Sequence, residues 1–449
     1  MEQKRKSQRY QWWQRKAETL LEITTEARQA GESSTDGLGG EGEDSLVWKD
    51  VLAADPTPLY VYDQETIVEV VTKLKTELAC VDRFFYAVKA NPYPKVLQTL
   101  YELGLGFECV SPGELQHVLQ LFPELSPGRG RLLFTPNFVS RREYELAFRV
   151  GAVVTLDSLY PLQHWPDIFR NREVMIRVDP MMREGHHNHV KTAGHQSKFG
   201  VTVEDLRSLL PGLLESSQTR LVGLHAHVGS GIMNPQTWKN TADLFLSLLP
   251  LFPDVKVLDL GGGLGVVYKY EQEGHEANTN GLALSTLNEL LSSFRKEQHL
   301  GEGVQLWMEP GRYCVAEAGV LLARVTQLKQ KGEKHYVGVN TGFNSLLRPA
   351  LYSAYHHIVN LSKWSAAEKD GGESSSQKTK GSPFHQKKVQ VVGNICESGD
   401  VLGEDRELAG ETEEGDILLI AVAGAYGHCM SSSYNLREPA REIFLATTK

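Results

Sequence analysis

The sequence has few cysteines, no long apolar run and no excess of positive charge. Its five cysteines are odd in number and widely scattered, so they form neither a disulfide framework nor a metal-binding cluster. No apolar run approaches the roughly 18–20 residues of a membrane-spanning helix. The start of the chain lacks the apolar core of a secretory signal. These absences predict a protein of a reducing compartment, the cytoplasm, without a membrane segment.

The charge balance is acidic. The 449 residues carry a net charge of -9, which argues against nucleic acid as the main partner because such binding usually needs a basic face. Hydrophobic residues make up 41% of the chain and charged residues 23%, as in ordinary globular proteins. This length allows a large core and two domains.

From about residue 46 to 324 the sequence alternates between short β-rich runs and amphipathic helical patterns. Eight runs are candidate strands: Phe84–Val88, Phe107–Val110, Leu132–Thr135, Val153–Leu156, Val174–Val178, Leu221–Val228, Val255–Leu260 and Gln305–Met308. Eight strands alternating with helices predict an α/β fold, a parallel (β/α)8 TIM barrel, with functional groups at the carboxyl ends of its strands. An earlier strand, Pro58–Tyr62, belongs either to this barrel or to the second domain.

The flanking segments have a different composition. Residues 1–45 combine a helical pattern at about 10–30 with a Gly-, Ser- and acid-rich stretch, which predicts a helical, flexible extension. Residues 325–449 carry Val- and Ile-rich runs between Gly and Asp turns and predict a C-terminal, mainly antiparallel β-domain. Within that domain, residues 364–388 have almost no apolar content and predict a disordered insert.

Lys89 lies in Tyr86-Ala-Val-Lys-Ala-Asn91, at the end of a run that is apolar enough to be a buried strand. A lysine ammonium is costly to bury unless it is paired or chemically used. One interpretation is a strand-end lysine whose amine reaches water along its apolar stem. The other is a nucleophilic amine that forms a Schiff base with an aldehyde cofactor.

Two further strand ends carry groups suited to a flat, phosphorylated ligand. Glycines 261–263 follow a strand and let backbone amides approach a phosphate, although tight turns use glycines as well. His225-Ala-His227-Val-Gly-Ser230 offers an imidazole that can stack on a ring and a hydroxyl that can hold a phosphate. Both imidazoles lie on the same face of a strand, so zinc is an alternative. No third ligand has a comparable context, and we predict no metal.

Glu309-Pro-Gly-Arg312 closes the last barrel strand. A carboxylate beside a pyridine nitrogen keeps that nitrogen protonated and makes the ring an electron sink. Arg312 can bind a carboxylate or phosphate through two parallel hydrogen bonds. A surface turn with a Glu and an Arg is the alternative. Together, the lysine, histidine, glycines and glutamate predict a site for pyridoxal 5'-phosphate (PLP).

These four motifs resemble the signatures of the alanine-racemase-fold decarboxylases, which include ornithine, arginine and diaminopimelate decarboxylases. Three C-terminal segments, Asn344–Tyr352, Cys396–Asp400 and Gly424–Asn435, resemble diaminopimelate decarboxylases in particular. The resemblance covers roughly residues 46–449, with the motifs in the expected order.

A finer resemblance concerns three other segments. Trp12-Trp13, Leu133–Asn137 and the histidine-rich Gly185–His189 are most similar to the decarboxylase part of fused aspartate kinase–diaminopimelate decarboxylases. No kinase precedes them here. The resemblance therefore implies that the N-terminal extension is a relic of a fusion or a docking element.

The resemblance implies a role for each site residue. Lys89 would carry PLP, and Cys396 would be the acid that protonates the carbanion left by decarboxylation. The residues implied at the cofactor are Lys89, Glu108, His227, Ser230, Gly261, Gly262, Gly263, Glu309, Gly311, Arg312 and Tyr426. Those implied at the substrate are Arg312, Arg348, Tyr352, Glu397 and Tyr426. In this family the positions of Cys396 and Glu397 reach the site from the partner subunit, which implies an obligate homodimer.

The activity implied by the resemblance is that of a carboxy-lyase which converts meso-2,6-diaminopimelate to L-lysine and CO2, the last step of lysine biosynthesis. Two arginines suit a substrate whose far end carries a carboxylate, whereas a diamine would need an acidic pocket there. One alternative is a decarboxylase of the same fold that acts on ornithine, arginine or a D-amino acid. Another is a PLP-binding homologue without catalysis, against which the intact Lys89, Cys396 and Glu309 count.

Overall fold

The computed structural model describes residues 12–32, 55–127, 130–181, 197–269, 281–297, 303–364, 387–408 and 412–447. These residues form two compact units. The barrel unit takes the described residues within 67–267 and 271–315. The β-unit takes those up to Thr66, those within 268–270 and those from Ala316 onward.

The barrel unit is built on eight parallel strands that close on themselves. Strands are numbered along the chain, and β1 (Leu59–Asp63) belongs to the β-unit. The barrel strands are β2 (Arg83–Ala87), β3 (Gly106–Cys109), β4 (Leu132–Phe134), β5 (Val153–Leu156), β6 (Glu173–Arg177), β7 (Arg220–His225), β8 (Val257–Asp259) and β9 (Gln305–Met308). Pairing of β2 with β9 closes the barrel. The predicted TIM barrel is confirmed, and every predicted barrel strand overlaps one of these.

Side chains fill the barrel interior. Phe85, Leu133, Met175 and Val257 come from the alternate strands β2, β4, β6 and β8 and form one buried cluster, together with Trp307. Such a layer of apolar side chains from alternate strands is the packing that makes a TIM barrel a core instead of a pore. Polar groups at the carboxyl ends of the strands therefore lie above a closed apolar floor.

Helices connect the strands. Their bounds are Gln64–Glu77, Pro94–Glu102, Pro112–Leu121, Arg141–Arg149, Tyr160–His164, Pro166–Phe169, Val203–Ser208, Leu210–Ser217, Gln236–Leu248, Leu284–Glu297 and Arg312–Val315. Several begin at hydroxyl caps: the Ser111 side chain accepts from the amide of Glu114, and Ser140 and Glu143 form a capping box. Among the described residues, no helix combines the length and apolar character needed to cross a membrane.

The β-unit contains a mixed sheet. Its strands are β1, β10 (Gly319–Lys331), β11 (Lys334–Val339), β12 (Ile358–Asn360), β13 (Lys387–Val392), β14 (Val401–Leu408), β15 (Ile417–Ile420) and β16 (Arg441–Leu445). Six of them run in the order β12-β15-β10-β11-β13-β14, and β1 pairs with β10 and β16. The pairs β1–β16 and β11–β13 are parallel, and the other described pairs are antiparallel.

Two predicted boundaries differ from the observed ones. The early strand pairs only within the β-unit, and β10 begins before the predicted boundary at residue 325. A strand joins whichever sheet supplies its hydrogen-bond partners, and those partners lie far along the sequence. Nearly all of the predicted disordered insert, residues 365–386, lies outside the described residues.

The N-terminal helices pack into the β-unit. Helices Trp12–Arg15 and Ala17–Glu32 bury Trp12, Trp13, Ala17 and Leu20. Trp12 Nε1 donates to the Glu317 carbonyl at 2.8 Å. The predicted helical segment at about residues 10–30 is present, but its packing into this unit was not predicted, because the sequence pattern shows an apolar face without showing what covers it.

Further contacts hold the first helix and Lys16, the residue that follows it. Lys16 Nζ lies 2.5 Å from Asp63 Oδ1, an acid at the end of β1 that is itself fully buried. Burial alone would lower the pKa of Lys16, but the hydrogen bond and charge of Asp63 outweigh it and raise that pKa. The Trp13 ring meets the Trp364 ring edge-on at 5.4 Å between centroids. The first helix is therefore part of the core of this unit.

Replacing Trp13 by alanine is expected to destabilise the β-unit by about 3–5 kcal/mol, as for other fully buried tryptophans. The change removes a side chain that is 2% exposed and its contact with Trp364. Thr19→Ala, at an exposed position on the helix that follows, should change the free energy of unfolding by less than about 0.5 kcal/mol. Denaturant unfolding of both variants tests this. Equal midpoints for the two would show that the helix contributes nothing to the unit.

Candidate active site

Lys89 stands at the carboxyl end of β2, in a short 3-10 turn, Val88–Ala90. Its Nζ lies 2.5 Å from Oε2 of Glu108, which is 1% exposed at the carboxyl end of β3. Thr135 donates to the other oxygen, Glu108 Oε1. The Lys89 side chain itself is 41% exposed. The amine is thus held by a buried carboxylate while remaining accessible, which suits covalent attachment of a cofactor.

The predicted site residues of the barrel lie at the ends of several strands. The set comprises Lys89, Glu108, His227, Ser230, glycines 261–263, Glu309, Gly311 and Arg312, which follow or end β2, β3, β7, β8 and β9. The carboxyl ends of parallel barrel strands meet at one face. Tertiary structure therefore gathers residues that are far apart in sequence.

The glycine turn after β8 packs directly against its neighbours. A Cβ at Gly262 would lie 2.2 Å from the Glu309 carbonyl oxygen, and a Cβ at Gly263 would lie 2.3 Å from the Gly229 oxygen. Gly261 has φ +65° and Gly263 has φ +86°, which favours glycine at both. The amides of Gly261 and Gly262 already donate to Asp259 Oδ1 and His227 Nδ1. These glycines therefore allow the backbone of the turn to pack closely against the backbones of Gly229 and Glu309.

His227 is held in a defined tautomer. Its Nδ1 accepts the Gly262 amide at 3.1 Å, so a neutral ring carries its proton on Nε2. Burial, followed by the positive charge of Arg177, lowers the pKa of His227 to about 3. The ring is therefore neutral at physiological pH, as suits stacking on a flat cofactor.

Ser230 and Arg312 form a hydrogen-bonded pair. Ser230 Oγ accepts from Arg312 Nε at 3.3 Å and from Nη2 at 3.2 Å. A Cβ at Gly311 would lie 3.0 Å from Ala87 Cβ and 3.1 Å from Ala90 Cβ, so the arginine's segment packs on the segment that carries Lys89. A guanidinium and a hydroxyl side by side suit a phosphate or a carboxylate.

Glu309 provides a test of whether PLP fits. Its Oε2 accepts from His225 Nε2 at 3.2 Å, whereas Oε1 is buried and accepts no hydrogen bond from any described residue. Burial alone would raise the pKa of Glu309, but the positive charges of His225 and Lys89 outweigh it and keep that pKa below its ordinary value. A buried, ionised oxygen in need of a donor is what a protonated pyridine nitrogen satisfies. The residues present thus fit the predicted cofactor.

The sequence analysis missed Arg177. It ends β6, lies 4.4 Å over the Phe199 ring and places Nη1 3.6 Å from Asp157 Oδ1. Asp157 also accepts the Gly200 amide at 3.1 Å. The sequence signal that could have identified Arg177 is a charged residue at the end of a largely apolar strand, as at Lys89. Arg177 adds positive charge beside His227 and the acids of the site.

Glu114 is a second missed residue. Its Oε2 accepts the Val110 amide at 2.8 Å. Burial and then the negative charge of Glu108 raise the pKa of Glu114 to about 7, although that amide bond opposes the shift. An acid whose pKa is raised towards neutrality therefore lies in the first turn of the helix that follows the strand carrying Glu108.

The predicted substrate residues of the β-unit have their own setting. Arg348 begins helix Arg348–Tyr352 and is 1% exposed. Its Nη1 donates to His356 Nε2 at 2.8 Å, and its guanidinium lies 4.5 Å over the Tyr268 ring. His356 Nδ1 donates to the Ala421 carbonyl at 2.9 Å, which fixes the tautomer that accepts from Arg348. Tyr352 is partly exposed at the end of the helix.

Cys396 and Glu397 lie exposed in a turn between β13 and β14. Asp400, which is buried, anchors that turn by accepting the amides of Ile395 at 2.8 Å and Phe343 at 2.7 Å. Asn435 Oδ1 accepts the Cys396 amide at 2.7 Å. The thiol is therefore presented on the surface of this unit by a rigid turn.

Tyr426 also belongs to the β-unit. It has φ +55° and is partly exposed in the turn after β15. A left-handed backbone is strained for a bulky residue, and such strain is found at ligand-binding turns. Its predicted role at the cofactor stays a prediction.

Comparisons with known proteins place these features in a family. Residues 64–316 match the family described as pyridoxal-dependent decarboxylase, pyridoxal binding domain. A diaminopimelate decarboxylase of Methanothermobacter thermautotrophicus is 35% identical over 88% of this chain and 87% of its own. One of Aquifex aeolicus is 32% identical over 87% and 86%. Among solved structures, diaminopimelate decarboxylase of Helicobacter pylori complexed with L-lysine has a TM-score of 0.73 and 28% identity, covering 89% of this chain and 94% of that one.

Proposed function

The chain belongs to the pyridoxal-dependent decarboxylases, and within them to the diaminopimelate decarboxylases, and from this premise we infer that it converts meso-2,6-diaminopimelate to L-lysine and CO2 with PLP. The observation that carries the inference is the similarity to these decarboxylases over 87–88% of the chain. The L-lysine bound in the Helicobacter pylori structure is the product expected of this reaction.

When bound, PLP supplies an electron sink for the bond that breaks as CO2 leaves. The chain's own residues prepare that chemistry. Lys89 offers the amine for attachment, with Glu108 as the neighbouring carboxylate that orients it. Glu309, whose Oε1 is buried, would keep a proton on the ring nitrogen of the bound cofactor. The neutral His227 would stack on that ring without adding charge.

The anionic end of the cofactor is assigned to Ser230, Arg312 and the turn of glycines 261–263. Support comes from the Ser230–Arg312 hydrogen bonds and from the lack of room for any Cβ in that turn. Gly311 allows the arginine's segment to approach the segment carrying Lys89. Tyr426 is proposed at the phosphate through the family resemblance.

The substrate is assigned to Arg312, Arg348, Tyr352, Glu397 and Tyr426. Two arginines suit the two carboxylates of diaminopimelate, and Glu397 suits its distal ammonium. The His356 and Tyr268 contacts hold the Arg348 guanidinium in one orientation, as a carboxylate-binding fork needs. Cys396 is assigned the proton that returns to the carbon after CO2 has left.

We also propose a homodimer in which Cys396 and Glu397 complete the site of the partner subunit. Their exposure on a rigid turn, together with the family resemblance, supports this. A cytoplasmic location is proposed because none of the five cysteines, all of which the structure describes, forms a disulfide.

The relation to fused aspartate kinase–diaminopimelate decarboxylases stays a proposal. The buried Trp12 and Trp13 support a preserved N-terminal element. Gly185–His189 lies outside the described residues, and the relatives named above are described only as diaminopimelate decarboxylases.

The proposed activity is tested by CO2 release from meso-diaminopimelate, lysine, ornithine and arginine, measured side by side with PLP present. We expect release from diaminopimelate to exceed the others by at least about 100-fold. A buried charge left unpaired by a substrate that lacks the far carboxylate costs on the order of 2–5 kcal/mol. Faster release from ornithine or arginine would contradict the substrate assignment while leaving the decarboxylase assignment intact.

A further inference from the structure

Asp259 is a buried acid that the proposed mechanism does not use. It ends β8 and is 0% exposed. Its Oδ1 accepts the Gly261 amide at 2.9 Å, whereas Oδ2 is buried and accepts no hydrogen bond from any residue in the described ranges. An ionised carboxylate is rarely buried with an oxygen left unsatisfied, because the cost is severe.

Asp259 also lies beside two other buried ionisable groups. One ligand atom from each of His225, Asp259 and Glu309 falls within 4.8 Å of the others. His225 and Asp259 are direct register partners on β7 and β8, and the Glu309 amide donates to the Gly261 carbonyl at 2.9 Å. The three side chains are thus fixed by three adjacent strand ends, and none is on a flexible loop.

Two buried carboxylates this close cannot both ionise, so one of them holds a proton. The groups facing Glu309 are His225 and Lys89, which favour its negative charge, and His227, whose ring is neutral at physiological pH. Those facing Asp259 are Glu309 and Glu108, both negative, against one backbone amide. Burial and then the charge of Glu309 raise the pKa of Asp259 well above its ordinary value.

We propose that Asp259 is a neutral carboxylic acid at physiological pH and acts with His225 as a positioning pair that holds the ionised Glu309 from behind. His225 donates Nε2–H to Oε2, and Asp259 donates its O–H to the same carboxylate. A carboxylate has about four lone-pair sites, so about two remain, and one of these can accept from the ring nitrogen of the cofactor. The positioning role of Asp259 rests on the proposed function, whereas its protonation state does not.

The protonation state is tested on the apoprotein. Infrared spectra of protein with isotope-labelled aspartate should show the carbonyl stretch of a protonated acid at neutral pH, and Asp259→Asn should remove it. Asp254→Asn, at an exposed aspartate in the same unit, is the matched control and should leave the band in place. Absence of the band from the parent protein overturns the proposal. Because no substrate is involved, the outcome does not depend on whether the chain is a decarboxylase.

The positioning role is tested by the affinity for PLP and by the protonation of its ring nitrogen, read by nitrogen NMR with labelled PLP. Asp259→Leu should weaken PLP binding about 10- to 100-fold, the loss of one hydrogen bond to a charged group, and should reduce ring protonation. Asp259→Asn, whose amide can still donate, should recover most of that affinity. Equally weak PLP binding by Asp259→Asn and Asp259→Leu would overturn the proposal, because an ionised Asp259 would then be required. Stoichiometric metal in the apoprotein that Asp259→Asn abolishes would also overturn it.

Discussion

Lys89→Ala is expected to abolish decarboxylation and to remove the visible absorbance of the bound cofactor. Lys89 offers its amine at the strand end beside Glu108, within the face that carries Glu309 and the glycine turn. Loss of the attaching amine should lower kcat by several orders of magnitude. The measurement is CO2 release together with the spectrum of protein reconstituted with PLP.

Lys95→Ala is the matched control, since Lys95 is an exposed lysine on the following helix. It should keep both colour and activity. Borohydride treatment should fix PLP to the parent protein at one lysine and not to Lys89→Ala. If the alanine variant still yields a reducible adduct at one defined residue, the attachment site lies elsewhere.

Cys396→Ala is expected to depress kcat by about 10²- to 10⁴-fold, the usual contribution of a positioned acid or base. KM should change less, because the thiol acts after CO2 has left. The cofactor spectrum should stay that of the parent protein. Cys429→Ala, at another exposed cysteine of the same unit, should leave kcat unchanged.

Mixing the two inactive variants tests the shared site. Random exchange of subunits between Lys89→Ala and Cys396→Ala gives heterodimers as about half of all dimers. Each heterodimer has one site with an intact lysine from one chain and an intact cysteine from the other. About a quarter of all sites should therefore work, and activity should return to about a quarter of the parent value. No recovery after verified exchange would show that each chain builds its own site.

Charged residues at the end of an apolar strand can be identified from the sequence, whereas the residues that they contact cannot. Lys89 and Glu309 can be identified because a charged side chain at the end of a buried strand is costly unless it is paired or used chemically. Arg177 and Asp259 are of the same kind, but Arg177 lies in no assigned motif, and Asp259 precedes a glycine turn that was interpreted through its glycines alone. His225 was noted only as half of an alternative zinc pair. The structure instead joins it to Glu309, 84 residues further along the chain.

The amino-acid sequence by itself determined the barrel, because eight buried strands that alternate with amphipathic helices can all be covered when the strands close into one parallel barrel. It also determined the family, because motifs such as those around Lys89 and Glu309 are local. Only the tertiary structure decided which unit β1 joins, that Trp12 and Trp13 are covered, and which groups surround Glu309. Local periodicity records which face of an element is apolar. Hydrogen-bond partners, burial and the sharing of a proton between two acids depend on atoms brought together from distant positions.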